Sequence, residues 1–60
     1  MNLRDEIKKL VQKIPASVAN GGIMTATMWK QKATTAYDLA RNPKSSQEQL
    51  QRVLEELRRF

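Results

Sequence analysis

The sequence predicts an all-α fold, a small three-helix bundle or an open helical array, on three observations. Two stretches near the ends of the chain repeat apolar residues at the spacing of an α-helix. An alanine-rich stretch between them keeps the same spacing. Pro15 and Pro43 separate the three stretches. Because the chain has 60 residues, we expect residues 1–60 to form a single small helical domain. Oligomerisation is one way in which such a small bundle is completed.

The first predicted helix spans about residues 3–14. Its apolar residues lie on one stripe of the helix and are Leu3, Ile7, Leu10, Val11 and Ile14. Asn2 belongs to the residue types that cap helix N-termini best. The helix should end near residue 14, because the ring of Pro15 disfavours helical geometry at the residue before it.

Two interpretations are open for the segment that follows. In the first, Pro15 begins a short helical turn that Gly21 closes, and a long helix comes next. In the second, Asn20-Gly21 is a hairpin turn and residues 16–29 form a β-hairpin, since residues 23–29 have the threonine content of a strand. The first is favoured because the helical spacing continues well beyond this segment.

The second predicted helix spans about residues 23–41. Its most regular feature is a row of small side chains interrupted by one large one: Ala26, Trp29, Ala33, Ala36 and Ala40. The four alanines, here called the alanine seam, let a neighbouring backbone approach closely. Met28 and Leu39 lie beside the seam and widen the apolar arc to about half the helix circumference. Such a face is typical of a central helix that contacts two neighbours, or one neighbour and a second chain.

The third predicted helix spans about residues 46–59. Ser45 and Glu48 have the spacing of a capping box, and Asn42-Pro43 ends the preceding helix. The apolar residues that follow keep the helical period and are Leu50, Val53, Leu54, Leu57 and Phe60. Glutamates and arginines alternate at i, i+4 along the helix, so this face neutralises its own charge. It is a poor DNA recognition helix, because its glutamates would face a polyanion.

The composition excludes most kinds of catalytic, metal-binding and phosphate-binding site. With no histidine and no cysteine, the chain cannot form a zinc finger, a cysteine nucleophile or a Ser-His-Asp triad. The only glycines are Gly21 and Gly22, too few for a phosphate-binding loop. We therefore expect no enzyme activity, no cofactor, no metal site and no small-molecule substrate. No stretch reaches the roughly 20 apolar residues of a membrane span, and no signal peptide is visible. A cytoplasmic location without a membrane partner is expected.

The charge is basic, with 11 Lys and Arg against 6 Asp and Glu. Residues 45–60 carry three arginines and three glutamates, so the net charge of +5 belongs to the rest of the chain. A basic module attracts nucleic acid at low salt by releasing counterions. The cations that could contact nucleic acid, mostly lysines of the first two helices, are Lys8, Lys9, Lys13, Lys30, Lys32, Arg41 and Lys44.

The small core points towards a protein partner. Scaffolds of this size seldom gain more than about 3–5 kcal/mol from their core, and docking or oligomerisation adds stability. The favoured function is a non-enzymatic interaction module, an adaptor, regulator or homo-oligomerising unit, acting through the Ala/Met/Trp face of the central helix. The predicted partner contacts are Met24, Met28, Trp29, Lys30, Lys32 and Tyr37. The alternative is a nucleic-acid-binding regulator, in which Trp29 stacks a base instead of filling the core.

Overall fold

The structure is a computed structural model that describes residues 2–60. Its helices, in chain order, are α1 (Leu3–Gln12), α2 (Ala16–Ala19), α3 (Gly22–Arg41) and α4 (Gln47–Arg58). The long helices α1, α3 and α4 pack against one another, and the single turn α2 packs against α3. Residues 2–60 contain no strand. The predicted all-α bundle is therefore confirmed, and the alternative β-hairpin over residues 16–29 is wrong.

The ends of α1 follow from its flanking residues. The side chain of Asn2 accepts a hydrogen bond from the backbone N–H of Arg4 at 2.9 Å, so the predicted N-cap is confirmed. The helix ends at Gln12, before the predicted end near residue 14, because Lys13 is already extended (φ −123, ψ 122). Ile14 consequently leaves the apolar stripe of α1 and is 60% exposed.

A proline and two glycines shape the connection from α1 to α3. Pro15 is the N-cap of α2 and its carbonyl oxygen accepts the first hydrogen bonds of that turn. Gly21 passes so close to α2 that a Cβ there would lie 2.7 Å from the carbonyl oxygen of Ser17. Gly22 has φ +86, in the left-handed region that favours glycine. The expected short helical turn before the long helix is thus confirmed.

The core lies where α3 meets α1 and α4. Its nine buried apolar residues are Ile7, Val18, Trp29, Ala33, Ala36, Ala40, Leu50, Leu54 and Leu57. Three members of the alanine seam are among them, so the seam serves packing inside the chain, whereas Ala26 is exposed. Trp29 is 8% exposed, which confirms the interpretation that it fills the core. The three buried alanines are therefore not available to a partner.

The start of α4 differs from the prediction by one position. The hydroxyl of Ser46 accepts from the backbone N–H of Gln49 at 3.2 Å, and the Gln49 side chain accepts from the backbone N–H of Ser46 at 3.0 Å. The capping box predicted at Ser45 and Glu48 is wrong, although its type is right. Two adjacent serines each precede a suitable residue by three positions, so the sequence holds two overlapping boxes.

Ion pairs within residues 2–60 join different helices. Lys32 Nζ in α3 lies 3.2 Å from Glu56 Oε2 in α4. Arg58 Nη2 in α4 lies 3.6 Å from Glu6 Oε2 in α1. The i, i+4 pairs expected along α4 do not form within residues 2–60, and Glu56, a member of one of them, pairs with Lys32 in α3 instead.

Candidate functional site

Exposed apolar side chains gather at one end of the molecule. At a rise of about 1.5 Å per residue, α3 is about 30 Å long and extends well beyond its shorter neighbours. Near its start, Ile23 and Met24 are 86% and 81% exposed. Met28 is 52% exposed and Ile14, before α2, is 60% exposed. Side chains of this size in one region mark a candidate interaction surface.

Two of these residues flank a depression between α2 and α3. We call it the α2–α3 groove and define it by its eight lining residues, which are Ile14, Val18, Ala19, Gly22, Ile23, Ala26, Trp29 and Lys30. Its floor is formed by Val18 and Trp29, the two lining residues that belong to the core. Its volume is about 580 Å³, within the range of about 300–1,000 Å³ that is usual for ligand clefts. The groove is open to solvent and mainly apolar.

Half of the predicted partner contacts lie on this side of α3. Trp29 and Lys30 line the groove itself. Tyr37 lies on the same side two turns further along, given the helical period of 3.6 residues. Its ring centroid is 5.6 Å from the guanidinium carbon of Arg41, a cation–π distance. Arg41, a predicted nucleic-acid contact, is therefore already engaged with Tyr37.

The other three predicted contacts lie across the helix. Helical geometry places Met24, Met28 and Lys32 on the side of α3 away from the groove. Lys32 is held there by its ion pair with Glu56 at 3.2 Å. The two methionines are exposed but do not border the α2–α3 groove. The six predicted contacts consequently do not form one surface.

The sequence does not predict the two exposed isoleucines of the groove as contacts. Ile14 was assigned to the apolar stripe of α1, and Ile23 received no role. A signal was present, since Pro15 directly follows one isoleucine and Gly22 directly precedes the other. An apolar residue beside a proline or glycine lies at a helix boundary. At such a boundary the residue need not lie on the buried stripe of the helix.

The groove lies in a positively charged part of the chain. Residues 7–37 contain no Asp or Glu and five lysines: Lys8, Lys9, Lys13, Lys30 and Lys32. The first turn of α3 has no acidic residue, and no side chain caps it. Cations and an uncompensated helix N-terminus both give a positive potential. Of these lysines, Lys30 lines the groove, so an occupant would meet an apolar floor with Lys30 and the start of α3 at its edge.

Two other kinds of site are absent from the part of the chain that the structure describes. No group of three or more acidic, histidine or cysteine side chains within residues 2–60 could hold a metal ion. No helix in that range combines the length and the apolar character needed to cross a membrane.

The fold and the surface together define a small all-α bundle with an exposed apolar groove between α2 and α3. No protein-family model, curated protein or solved structure matches this chain.

Proposed function

We propose that this protein is a non-enzymatic interaction module that binds a helix of another protein in the α2–α3 groove. The observation that carries the proposal is the exposure of Ile14 and Ile23, 60% and 86%, on either side of an apolar floor. Burying one such side chain contributes about 1.5–3 kcal/mol. A partner that covers both would gain enough to offset part of the entropy lost on association.

The shape of the groove supports a helical occupant. The groove runs beside the first turns of α3 and is closed on its other side by α2. Amphipathic helices dock in such grooves through apolar side chains at i, i+3, i+4 and i+7. An occupant of this kind would cover the isoleucines and complete the packing of the exposed end of α3. We therefore take a helix, and not an extended peptide, as the partner element.

A second candidate function is nucleic-acid binding, favoured by the five lysines and the absence of acids in residues 7–37. Two structural features weaken it. Lys32 is paired with Glu56, and it lies about 160° around α3 from Lys30, so these two lysines cannot face one phosphate backbone together. Binding of this kind would be general polyanion attraction, which falls steeply with salt.

Selection from a random library of displayed helical peptides tests the proposal. The protein is the bait, and every selected peptide is then measured against two variants, Ile23→Glu and Met24→Glu. Both positions are highly exposed and adjacent in α3, so both variants should keep the helical content of the parent. We expect Ile23→Glu to weaken binding at least about tenfold, equal to about 1.4 kcal/mol, and Met24→Glu to change it less than about twofold.

Two results would contradict the proposal. One is a set of selected peptides that bind both variants as well as the parent, since the docking surface would then lie elsewhere. The other is tight binding of a duplex oligonucleotide near physiological salt, well below the roughly 10⁻⁶–10⁻⁴ M of non-specific complexes and insensitive to Ile23→Glu. That result would favour the second candidate.

A further inference from the structure

We infer that the occupant of the α2–α3 groove is an acidic amphipathic helix, with an apolar stripe flanked by Asp or Glu. The inference rests on the proposed function and adds the charge of the partner. Its basis is the charge of Lys30 at the edge of the groove, together with the burial of the apolar stripes of α1 and α4, the acidic helices of this chain.

Lys30 supplies the first part of the argument. It is exposed, it lines the groove, and it takes part in no ion pair within residues 2–60. Lys32, by contrast, is neutralised by Glu56. Among the described residues 2–60, no acidic side chain lines the groove. A free cation at the edge of an apolar patch selects partners by charge, because like charges placed across an interface are strongly unfavourable.

The N-terminus of α3 also favours a negatively charged occupant of the groove. The long helices α1 and α4 each have a side-chain N-cap and an acidic residue in the first turn. The first turn of α3 has neither, and its first residue, Gly22, also borders the groove. Negative groups are stabilised near a helix N-terminus. A carboxylate on the groove occupant would therefore add to the attraction that Lys30 provides.

A second copy of this chain does not meet these requirements. Its acids in helical segments lie in α1, at the end of α3 and in α4, while residues 7–37 have none. The apolar stripes of α1 and α4 are already used, since Ile7, Leu50 and Leu54 are buried in the chain's own core. Two copies meeting groove to groove would bring two Lys30 side chains into one interface, with no acidic lining residue from residues 2–60 to pair with them. The charge and the burial both favour a different protein.

Three synthetic peptides test the inference. All have the same 18-residue helical design, leucines and alanines on one stripe and no aromatic residue, and differ only in having Glu, Gln or Lys beside the stripe. Trp29 is the only tryptophan of the chain and forms part of the groove floor, so its fluorescence reports occupancy. We expect the Glu peptide to bind at least about tenfold more tightly than the Gln peptide, and the Lys peptide most weakly.

Substitutions at the groove test whether the preference for the Glu peptide depends on Lys30 and Ile23. Lys30→Gln should weaken the binding of the Glu peptide about three- to tenfold and change the binding of the Gln peptide less than about twofold. Lys44→Gln, at an exposed lysine in the α3–α4 connection, is the matched control and should change neither. Ile23→Glu should abolish binding of both peptides. Raising the salt from about 0.05 to 0.5 M should reduce the difference between the Glu and Gln peptides.

The outcomes separate the two proposals. Equal binding of the Glu and Gln peptides, both lost in Ile23→Glu, overturns the acidic preference and leaves the groove function intact. Binding of the Glu peptide that ignores Ile23→Glu but is displaced by duplex DNA overturns both, because the surface would then be a general polyanion site. A Trp29 signal that does not change with any of the three peptides up to about 1 mM, an affinity of about −4 kcal/mol, also overturns both.

Discussion

Arg4, in the first turn of α1, donates a hydrogen bond from Nη1 to the main-chain oxygen of Ala40 near the end of α3, at 3.0 Å. The same nitrogen lies 2.6 Å from the oxygen of Asn42, and Nη2 lies 3.2 Å from that of Ser45. The last carbonyls of a helix have no partner within the helix, and a cation there also interacts favourably with the helix dipole. One side chain therefore joins α1, the end of α3 and the connection to α4.

Removing this guanidinium should destabilise the fold. Since hydrogen bonds to charged groups contribute about 1.5–3 kcal/mol, Arg4→Ala should lower the free energy of unfolding by about that amount. Arg4→Lys should recover only part of the loss, because an ammonium cannot reproduce the planar fork. Arg58→Ala is the control, since its exposed pair with Glu6 at 3.6 Å should contribute about 0–1 kcal/mol. Urea unfolding followed by circular dichroism measures all three, and equal losses for Arg4→Ala and Arg58→Ala would contradict this role.

The two serines before α4 should respond in opposite ways. Ser46→Ala removes the hydroxyl that accepts from Gln49 and should cost about 1 kcal/mol. Ser45→Ala removes a buried hydroxyl that has no hydrogen-bond partner within residues 2–60, so it should be neutral or slightly stabilising. Thermal unfolding of the two variants checks the order. A larger loss for Ser45→Ala would place the capping box at the position that the sequence first indicates.

The two glycines between α2 and α3 should both resist substitution, for different reasons. Gly21→Ala places a Cβ 2.7 Å from the carbonyl oxygen of Ser17, and relieving that overlap should cost about 1–3 kcal/mol. At Gly22 no contacting atom of residues 2–60 lies within 4 Å of an added Cβ, but φ is +86, so Gly22→Ala should cost about 1–2 kcal/mol in strain. Gly22→Asn should cost less, since asparagine tolerates the left-handed region better. Equal unfolding midpoints for Gly22→Ala and Gly22→Asn would contradict this explanation.

The fold could be predicted because its signals are local. Each long helix has a regular apolar period and residues such as Asn2, Pro15 and Gly21 at its ends. Boundaries were less certain where two local signals overlap. Ser45 and Ser46 both satisfy the pattern of a capping box, and only the path of the chain between α3 and α4 selects the second.

The site was predicted only in part because it depends on tertiary packing. The sequence placed Trp29 and the methionines on one wide face of α3, without showing which edges of that face α1, α2 and α4 would cover. In the structure α2 meets the edge that carries Ile23 and Lys30, and Lys32 on the other edge pairs with α4. Ile14 enters the groove only because α1 ends before it.

Enlarging the alanines should show which of them belong to the core. Ala36 is fully buried, so Ala36→Leu should overpack the contact of α3 with its neighbours and cost about 1–3 kcal/mol or more. Ala26 is exposed at the groove, so Ala26→Leu should leave the free energy of unfolding within about 0.5 kcal/mol. Urea titrations compare the two. A similar loss at both positions would mean that the alanine seam packs along its whole length.

The charge distribution also predicts the oligomeric state. Association through the α2–α3 groove would bring the Lys30 side chains of two copies into one interface, and at low salt like charges repel over about 10 Å or more. We therefore expect sedimentation equilibrium at about 0.05 M salt to give the mass of one chain, 6.9 kDa, at concentrations up to about 100 μM. Ile23→Glu should sediment identically, since no self-contact is lost. A dimer that Ile23→Glu dissociates would identify a second copy as the occupant of the groove, because only that occupant makes the mass depend on Ile23 in the absence of any other protein.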